Sequence, residues 1–246
     1  MLTKINLAGI TVLIRTDFDE ASKCFTEFGG SNSEINEEVC FSSDASYQYI
    51  DEEEWSYLES VGIKRNGQNE ASALTAFCSD QLLMTNRCII HGGAFSFAGK
   101  AWVIVAPSGT GKSTQIRCLQ IIAPGCFSVI CGDRPVVEII DNSTAIVHPS
   151  PWNGKENWHG APPAQLAGII CLQRGDHNSF DVMSKREAVL PVFSSLIQTA
   201  KTNEIIRKAA AFEDNLLNSC EIYRLVSNSV PDSTKLMYEY LFSKQI

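Results

Sequence analysis

One stretch of the chain, residues 101–119, constrains the fold more than any other, because three kinds of local structure follow one another in a fixed order. The apolar run from Trp102 to Val105 is typical of a buried strand, and Pro107 ends it. A short glycine-containing loop comes next, and beyond it Ile116 and Leu119 are spaced to lie on one face of a helix. This order of strand, glycine loop and helix is typical of a site that binds a phosphate group.

The loop carries the residue types that such a site requires. Gly109 and Gly111 have no Cβ, so consecutive backbone N–H groups can turn toward an anion, and the first turn of the following helix offers further free N–H groups. Lys112 is placed to reach the β- and γ-phosphates of a nucleotide, and the Ser113 hydroxyl is placed to bind Mg²⁺.

The loop matches the pattern G-x-x-x-x-G-K-[ST] except at its first position, which is Ala106. The alternative interpretation is a glycine-rich turn with an exposed lysine. The residues that we expect to contact the nucleotide are Ser108, Gly109, Thr110, Gly111, Lys112, Ser113 and Thr114.

The composition limits the class of protein. The chain has 246 residues, of which 44% are hydrophobic, and this suits an α/β fold with a sizeable core. Lys and Arg total 20 against 28 Asp and Glu, and the resulting net charge of −8 argues against a protein that follows a nucleic-acid backbone. No apolar run is long enough to cross a bilayer. We therefore expect neither a nucleic-acid partner nor a membrane partner.

The cysteines indicate a reducing compartment. There are nine, none forms a C-x-x-C pair, and no secretory apolar region precedes them. An odd number of scattered thiols favours free cysteines over a disulfide framework. We therefore expect a cytoplasmic protein.

The hydrophobic periodicity predicts how the chain is divided. Residues 1–85 are expected to form a strand-rich N-terminal portion, with one or two strands between Ile5 and Ile14, and residues 86–246 a core that contains the glycine loop. The acidic run 51–54 is interpreted as a solvated turn or a helix start. Near the C-terminal end, residues 185–198 favour a helix.

Three polar side chains follow predicted strands and are candidates for chemistry. Asp133 comes just after the apolar run 127–131, where a Mg²⁺-binding acid of a nucleotide site commonly lies. His91 ends a strand one hairpin before the glycine loop, and Arg174 is placed to stabilise charge on a transferred phosphoryl group. The alternatives are an ordinary strand-end turn for the aspartate, a structural histidine and a surface arginine.

A loop rich in proline, tryptophan and glycine spans residues 149–165 and is a candidate binding or lid element. Within it, Lys155 and Glu156 are candidate contacts to a phosphate or a substrate. A solvated ion pair is the alternative for these two side chains.

Several short blocks between residues 88 and 178 resemble the HPr kinase family, and more closely its short bacterial serine-kinase-like relatives. The blocks, in order, are Ile90-His91-Gly92, Gly99-Lys100-Ala101, the glycine loop from Ala106 to Thr114, Gly132-Asp133-Arg134-Pro135, Pro151-Trp152-Asn153-Gly154-Lys155-Glu156 and Leu172-Gln173-Arg174-Gly175. The residues before these blocks resemble the family only in being strand-rich.

The resemblance implies an α/β fold with a mixed sheet and a P-loop, shared by HPr kinase and ATP-dependent phosphoenolpyruvate carboxykinase. It implies binding of ATP with Mg²⁺ and phosphoryl transfer to a hydroxyl, often that of serine. HPr kinases have two adjacent aspartates at the strand end, whereas this chain has Gly132 followed by Asp133. Either Asp133 serves both as base and as metal ligand, or His91 or Glu156 takes the role of base, or catalysis is weak.

The leading hypothesis is therefore an ATP-dependent kinase acting on a hydroxyl of a peptide, protein or small molecule, with Lys112, Mg²⁺ and Arg174 neutralising charge. One alternative is a carboxykinase-like enzyme acting on a small carboxylic acid. Another is a nucleotide-binding regulatory module with little or no turnover, which the single aspartate motivates. The absence of an N-K-x-D motif disfavours a switch GTPase. The sequence leaves the oligomeric state open, and a homo-oligomer is compatible with it.

Overall fold

The computed structural model describes residues 1–29, 31–32 and 46–243. The strands are β1 (Leu2–Leu7), β2 (Ile10–Arg15), β3 (Ser31–Asn32), β4 (Ser46–Gln48), β5 (Arg87–Ile89), β6 (Gly92–Phe97), β7 (Lys100–Val105), β8 (Phe127–Cys131), β9 (Val136–Asp141), β10 (Thr144–His148), β11 (Ala164–Arg174), β12 (Ser179–Val182) and β13 (Glu221–Ser227). The helices are α1 (Asp19–Glu27), α2 (Glu52–Ser60), α3 (Gly67–Leu83), α4 (Lys112–Ile122), α5 (Lys185–Phe193), α6 (Asn203–Ser219) and α7 (Val230–Ser243). Within these described ranges, no helix combines the length and the apolar character that crossing a membrane requires.

The N-terminal strands form a sheet of their own, in the order β3–β1–β2–β4. β1 and β2 are antiparallel, and Ala8 and Gly9 join them with positive φ angles of 51° and 85°, as a tight hairpin turn requires. The carboxylate of Glu70 on α3 accepts hydrogen bonds from the backbone N–H groups of Asp17 and Phe18, at 2.7 and 3.1 Å. These two groups precede α1, so α3 fixes the start of α1 beside the sheet.

The larger sheet is mixed, as the sequence predicts. Its strand order is β5–β9–β10–β11–β7–β6–β8, and β13 followed by β12 adds to it through β11. The first residues of β11 pair with β10, and its second half pairs in parallel with β13. The opposite edge of β11 pairs in parallel with β7. One long strand therefore joins the two halves of this sheet.

Strand direction brings several segments to one edge of the larger sheet. β6 is antiparallel to both β7 and β8, so β7 and β8 run the same way and end on the same side. Gly92 at the start of β6 pairs with Val105 at the end of β7, and Ala94 pairs with Cys131 at the end of β8. β11 and β13 are parallel to this direction, and Cys171 of β11 pairs with Val105. Ligands of α/β sheets commonly bind beyond such carboxyl ends.

Helices cover both faces of the sheet, and the side chains of β7 alternate between them. Val103 and Val105 belong to the apolar cluster that includes α5 and α6, whereas Trp102 and Ile104 belong to the cluster that includes α4 and α7. Because both faces are buried, the strand reads in the sequence as a continuous apolar run.

The N-terminal portion packs on the larger sheet through a shared apolar cluster, which includes Ile89 of β5 and Trp152 of the loop after β10. The Trp152 side chain is 5% exposed, its Nε1 donates to the carbonyl of Ala71 at 2.7 Å, and its ring meets Phe25 edge-on at 5.6 Å. A buried indole with a bonded N–H group stabilises such a contact. This part of the candidate lid loop therefore anchors the N-terminal portion.

The helix predicted over residues 185–198 ends earlier, at Phe193. The segment that follows turns back toward the start of β6, where the backbone N–H of His91 donates to the carbonyl of Ser195 at 2.7 Å. This pairing with a distant segment replaces continuation of the helix. The local pattern cannot reveal such a pairing, because it reports only on neighbours in the sequence.

Two further segments illustrate local signals. The acidic run 51–54 begins α2, where the side chain of Asp51 accepts a hydrogen bond from the Glu54 N–H at 2.8 Å, so the helix-start alternative is confirmed. β12 is missing from the sequence predictions. Its four residues do alternate polar and apolar, but the run is very short and its last apolar residue, Val182, is 62% exposed.

Candidate functional site

The glycine loop leaves the carboxyl end of β7 and leads into α4. Gly109 and Gly111 have φ angles of 76° and 117°, which an L side chain rarely adopts, and a Cβ built at either would meet nothing within 4 Å. No side chain caps α4, and the N–H of Gln115 bonds to the carbonyl of Gly111 at 3.0 Å. The N–H groups of the first helical turn thus remain available to an anion at the positive end of the helix dipole.

Lys112 lies at the centre of the site. Its side chain is largely buried, and its Nζ donates to the carbonyl oxygen of Ala106 at 2.8 Å and contacts Nε2 of His91 at 3.2 Å. Burial lowers the pKa of the Lys112 ammonium, and the carboxylate of Asp133 partly opposes this effect. The result is a poorly hydrated cation in a fixed position, which a phosphate would stabilise strongly.

His91 connects the lysine with the strand-end acid. Its Nε2 also lies 3.6 Å from Oδ1 of Asp133. Burial is the main cause that lowers the pKa of His91, the Lys112 charge adds to it, and Asp133 opposes it. We assign the ring proton to Nδ1, because Nε2 of the neutral ring then accepts from the Lys112 ammonium. His91 in this form positions the lysine.

Backbone bonds place His91 and Asp133 side by side. The N–H of Gly92 donates to the carbonyl of Asp133 at 2.8 Å, and the N–H of Ile90 donates to the carbonyl of Pro135 at 3.0 Å. The segment after β8 therefore follows the start of β6 residue by residue, and the two candidate side chains meet because their main chains are paired.

Arg134, which the sequence analysis did not single out, supports the acid. Its Nε lies 3.3 Å from Oδ2 of Asp133, and its two terminal nitrogens donate to the hydroxyls of Thr75 at 2.7 Å and Ser72 at 3.1 Å on α3. The one indication in the sequence was its place directly after Asp133, the acid at the strand end. Its partners on α3 lie too far away in the sequence to be inferred.

Gly132 has a steric reason to be glycine. Its N–H donates to the carbonyl of Trp158 at 2.9 Å, and a Cβ at this position would overlap the carbonyl oxygen of Asn153 and lie 3.3 Å from the Cβ of Trp158. The backbone of the neighbouring loop occupies the space in which a side chain would stand. A second aspartate beside Asp133 does not fit this loop path.

These groups open onto one cleft with a volume of about 810 Å³. Its lining residues are Gln68, His91, Ser108, Gly109, Gly111, Lys112, Ser113, Thr114, Gly132, Asp133, Arg134, Gly154, Lys155 and Glu156. Most candidates from the sequence analysis lie here, and Gln68 is added from α3. Nothing in the local sequence around Gln68 indicated a place in the site.

Two candidates lie outside the lining. Thr110 turns its hydroxyl to the carbonyl of Pro107 at 2.8 Å, within the loop. Arg174 is exposed, and its Nη2 donates to the carbonyl of Gly109 at 2.6 Å. In this arrangement Arg174 braces the glycine loop from the end of β11.

The two candidates from the long loop differ in their surroundings. Lys155 is exposed at the rim of the cleft. Glu156 is half-buried, and its Oε1 lies 3.6 Å from Arg117 of α4, whose guanidinium also packs over the Trp158 ring at 5.5 Å from the centroid. The loop is thus connected to α4 through Arg117.

The Mg²⁺ ligands predicted from the sequence are two oxygen-bearing side chains of the cleft. Among the described residues, no group of three or more His, Cys, Asp and Glu side chains is placed to bind a metal. Mg²⁺ needs no such cage, because it is usually bound by one or two protein oxygens together with substrate phosphates and waters. Ser113 and Asp133, the predicted pair of ligands, both line the cleft beside the glycine loop.

The contacts of His91 with Lys112 and Asp133 should be visible in the titration of its imidazole. We expect the His91 imidazole to titrate below its usual pKa of 6.5, and the Lys112→Met variant to raise that pKa because a neighbouring positive charge is removed. The Asp133→Asn variant should lower it further, because the favourable anion is lost. NMR titration of the imidazole signals, assigned with His91→Gln, measures both shifts. A His91 pKa that neither variant moves would contradict the contacts described above.

No family model matches this chain, and no curated protein sequence matches it. Among solved structures, it is similar to the Hpr(Ser) kinase/phosphatase from Coxiella burnetii, with a TM-score of 0.38 and 10% sequence identity. The alignment covers 64% of this chain and 99% of that chain. The residues of the cleft, and not this likeness, carry the functional proposal.

Proposed function

We propose that the chain is an ATP-dependent kinase that transfers the γ-phosphoryl group to a hydroxyl. The observation that carries the proposal is the position of Lys112, which is buried at the start of α4, bonded to the loop carbonyl and to His91, and in the same cleft as the Asp133 carboxylate. A desolvated lysine on a glycine loop supports phosphate binding, and an acid beside it supports transfer.

The cleft suits a nucleoside triphosphate with its metal. A volume of about 810 Å³ falls within the usual range for small-molecule sites. The phosphates would lie over the glycine loop and the first turn of α4, with Lys112 at the β- and γ-phosphates. Ser113 and Asp133 would hold Mg²⁺, which neutralises charge on the β- and γ-oxygens when it is bound.

Asp133 is the best candidate for the base. Nε2 of His91 is engaged by Lys112, whereas the Asp133 carboxylate has free acceptor capacity beside Arg134. In the proposed step, the acceptor oxygen bonds to the γ-phosphorus while the bond from that phosphorus to the β,γ-bridging oxygen breaks. The electron pair of that bond leaves with ADP, and Asp133 takes the hydroxyl proton.

Transfer from γ-labelled ATP to hydroxyl-bearing peptides and small molecules tests the reaction. We expect Asp133→Asn to lower the transfer rate at least about a hundredfold, because a general base contributes that much or more. The affinity for ATP without Mg²⁺, measured separately by calorimetry, should change far less, since Lys112 and the loop remain; the affinity for MgATP is measured beside it, because Asp133 is also the proposed metal ligand.

Asp181→Asn, an exposed substitution on β12, is the matched control and should leave both quantities unchanged. Transfer that survives Asp133→Asn would exclude Asp133 as the base. Tight ATP binding by the wild type without transfer or slow hydrolysis would instead support a nucleotide-binding module without turnover. The carboxykinase alternative predicts ATP consumption that depends on a small carboxylic acid.

A further inference from the structure

A second cavity of about 470 Å³ lies next to the cleft, between the carboxyl ends of β7 and β11 and the helix α5. Leu172 at the end of β11 and Leu190 and Pro191 on α5 form part of its wall. The kinase chemistry proposed above does not use this cavity.

The cavity and the cleft share one wall. His91 lines both, and Ala106 and Pro107, which line the cavity, lead directly into Ser108 of the cleft. In a phosphate loop the lysine reaches the β- and γ-phosphates, and His91 contacts that lysine at 3.2 Å. The cavity therefore adjoins the γ-phosphate end of the site, where the acceptor must enter, and not the end that faces the nucleobase.

The wall of the cavity is apolar and, among the described residues, carries no side chain that is charged at neutral pH. Burial raises the pKa of the Cys171 thiol to about 11, so this thiol is neutral. The contact from the Lys112 ammonium to Nε2 of His91 requires a neutral imidazole, whose Nε2 accepts. The amide of Gln173 and the hydroxyl of Ser194 supply polar groups without charge. A carboxylate or an ammonium group would lose its hydration here without gaining an oppositely charged partner.

We propose that this cavity binds the part of the acceptor next to its hydroxyl and selects an uncharged apolar group. The inference rests on the proposed kinase function. A cavity of about 470 Å³ accommodates one aliphatic or aromatic group with a short chain on either side. Two kinds of acceptor carry an apolar group next to a hydroxyl: a peptide with an apolar residue beside serine, and a free apolar alcohol.

Matched acceptors distinguish these two sources. Transfer from γ-labelled ATP is measured to N-acetyl-seryl-leucinamide, to its glutamyl and lysyl counterparts, and to benzyl alcohol. We expect the kcat/KM for an apolar acceptor to exceed that for either charged dipeptide at least about tenfold, because an apolar pocket binds an apolar group better than a charged one. A preference for the leucyl dipeptide identifies a peptide source, and a preference for benzyl alcohol identifies a free alcohol. Equal or better transfer to the charged dipeptides would overturn the proposal.

Leu190→Glu tests the cavity itself, because Leu190 is 74% exposed and its replacement should not disturb the fold. We expect it to lower kcat/KM for the apolar acceptor about tenfold and to leave ATP affinity unchanged. Val189→Glu, on the same helix and 46% exposed but outside the lining, is the control and should change neither. A Leu190→Glu variant with normal acceptor kinetics, or one with weakened ATP binding, would overturn the assignment; the second result would make the cavity a nucleobase site.

Binding of benzyl alcohol and of the leucyl dipeptide is also measured by saturation-transfer NMR without nucleotide. Binding that Leu190→Glu weakens supports the cavity assignment even where the kinase proposal fails. Absence of binding by both probes would overturn the assignment even where ATP binds normally.

Discussion

Replacing Lys112 with alanine is expected to weaken MgATP binding at least about a hundredfold, or about 3 kcal/mol. The ammonium is buried, its position is fixed by Ala106 and His91, and burial has already removed much of its hydration. A phosphate that meets this cation makes a charge-assisted hydrogen bond at little cost in reorganisation. Calorimetric titration of both proteins with MgATP measures the loss.

The control for this variant is Lys100→Ala, which removes an exposed lysine from the β6–β7 hairpin, where its Nζ bonds to Gln165. Lys100→Ala should leave ATP affinity nearly unchanged, because the charge that it removes is distant and screened by salt. The Lys112→Ala protein should keep its circular dichroism spectrum, so that lost binding is not lost folding. Unchanged ATP affinity in a folded Lys112→Ala protein would end the assignment of the glycine loop as a phosphate site.

Gly132→Ala is expected to lower the free energy of unfolding by about 3 kcal/mol, the upper end of the usual cost of overpacking. The added methyl group overlaps the main-chain oxygen of Asn153, which no rotamer change can move away. Either the loop after β10 or the end of β8 must shift. Gly132→Asp meets the same obstacle, so it should lose transfer activity and not gain a second acid.

Urea denaturation measures this change, with Ser128→Ala as the comparison. Ser128 is exposed on the same strand, and its truncation should stay within about 0.5 kcal/mol. A Gly132→Ala protein as stable as the wild type would show that the loop around Asn153 yields easily. Lack of space beside Asn153 would then not explain why a second aspartate is absent at position 132.

Local chemistry explains which parts of the site could be predicted from the sequence. The strand before the glycine loop, the loop itself and the placement of Lys112 depend on neighbours in the chain, and periodicity and glycine positions report on neighbours. The sequence indicates Asp133 as a candidate because an apolar run ends just before it. The mixed sheet was expected from the resemblance of the short blocks to a known family, not from periodicity.

Contacts between distant segments explain what could not be predicted. The hydroxyl of Thr75 that holds Arg134, the place of Gln68 in the cleft and the early end of α5 all depend on pairings across the fold. In the sequence, Gly132 differs only in standing where HPr kinases have the first of two adjacent aspartates. Its reason, the carbonyl of Asn153, becomes visible only when the loop after β10 is placed beside β8.

The bond from His91 to Ser195 has a consequence for the order in which the site matures during synthesis. The strand, glycine loop and α4 leave the ribosome well before the segment that follows α5. Until that segment is synthesised, the backbone N–H of His91 has no Ser195 carbonyl to bond to. Pairing between such distant segments also forms slowly. A nascent chain that stops before Ser195 would carry a phosphate loop without the complete wall between the cleft and the apolar cavity. The proposed activity would therefore begin only when the segment around Ser195, in the last quarter of the chain, has folded onto the sheet.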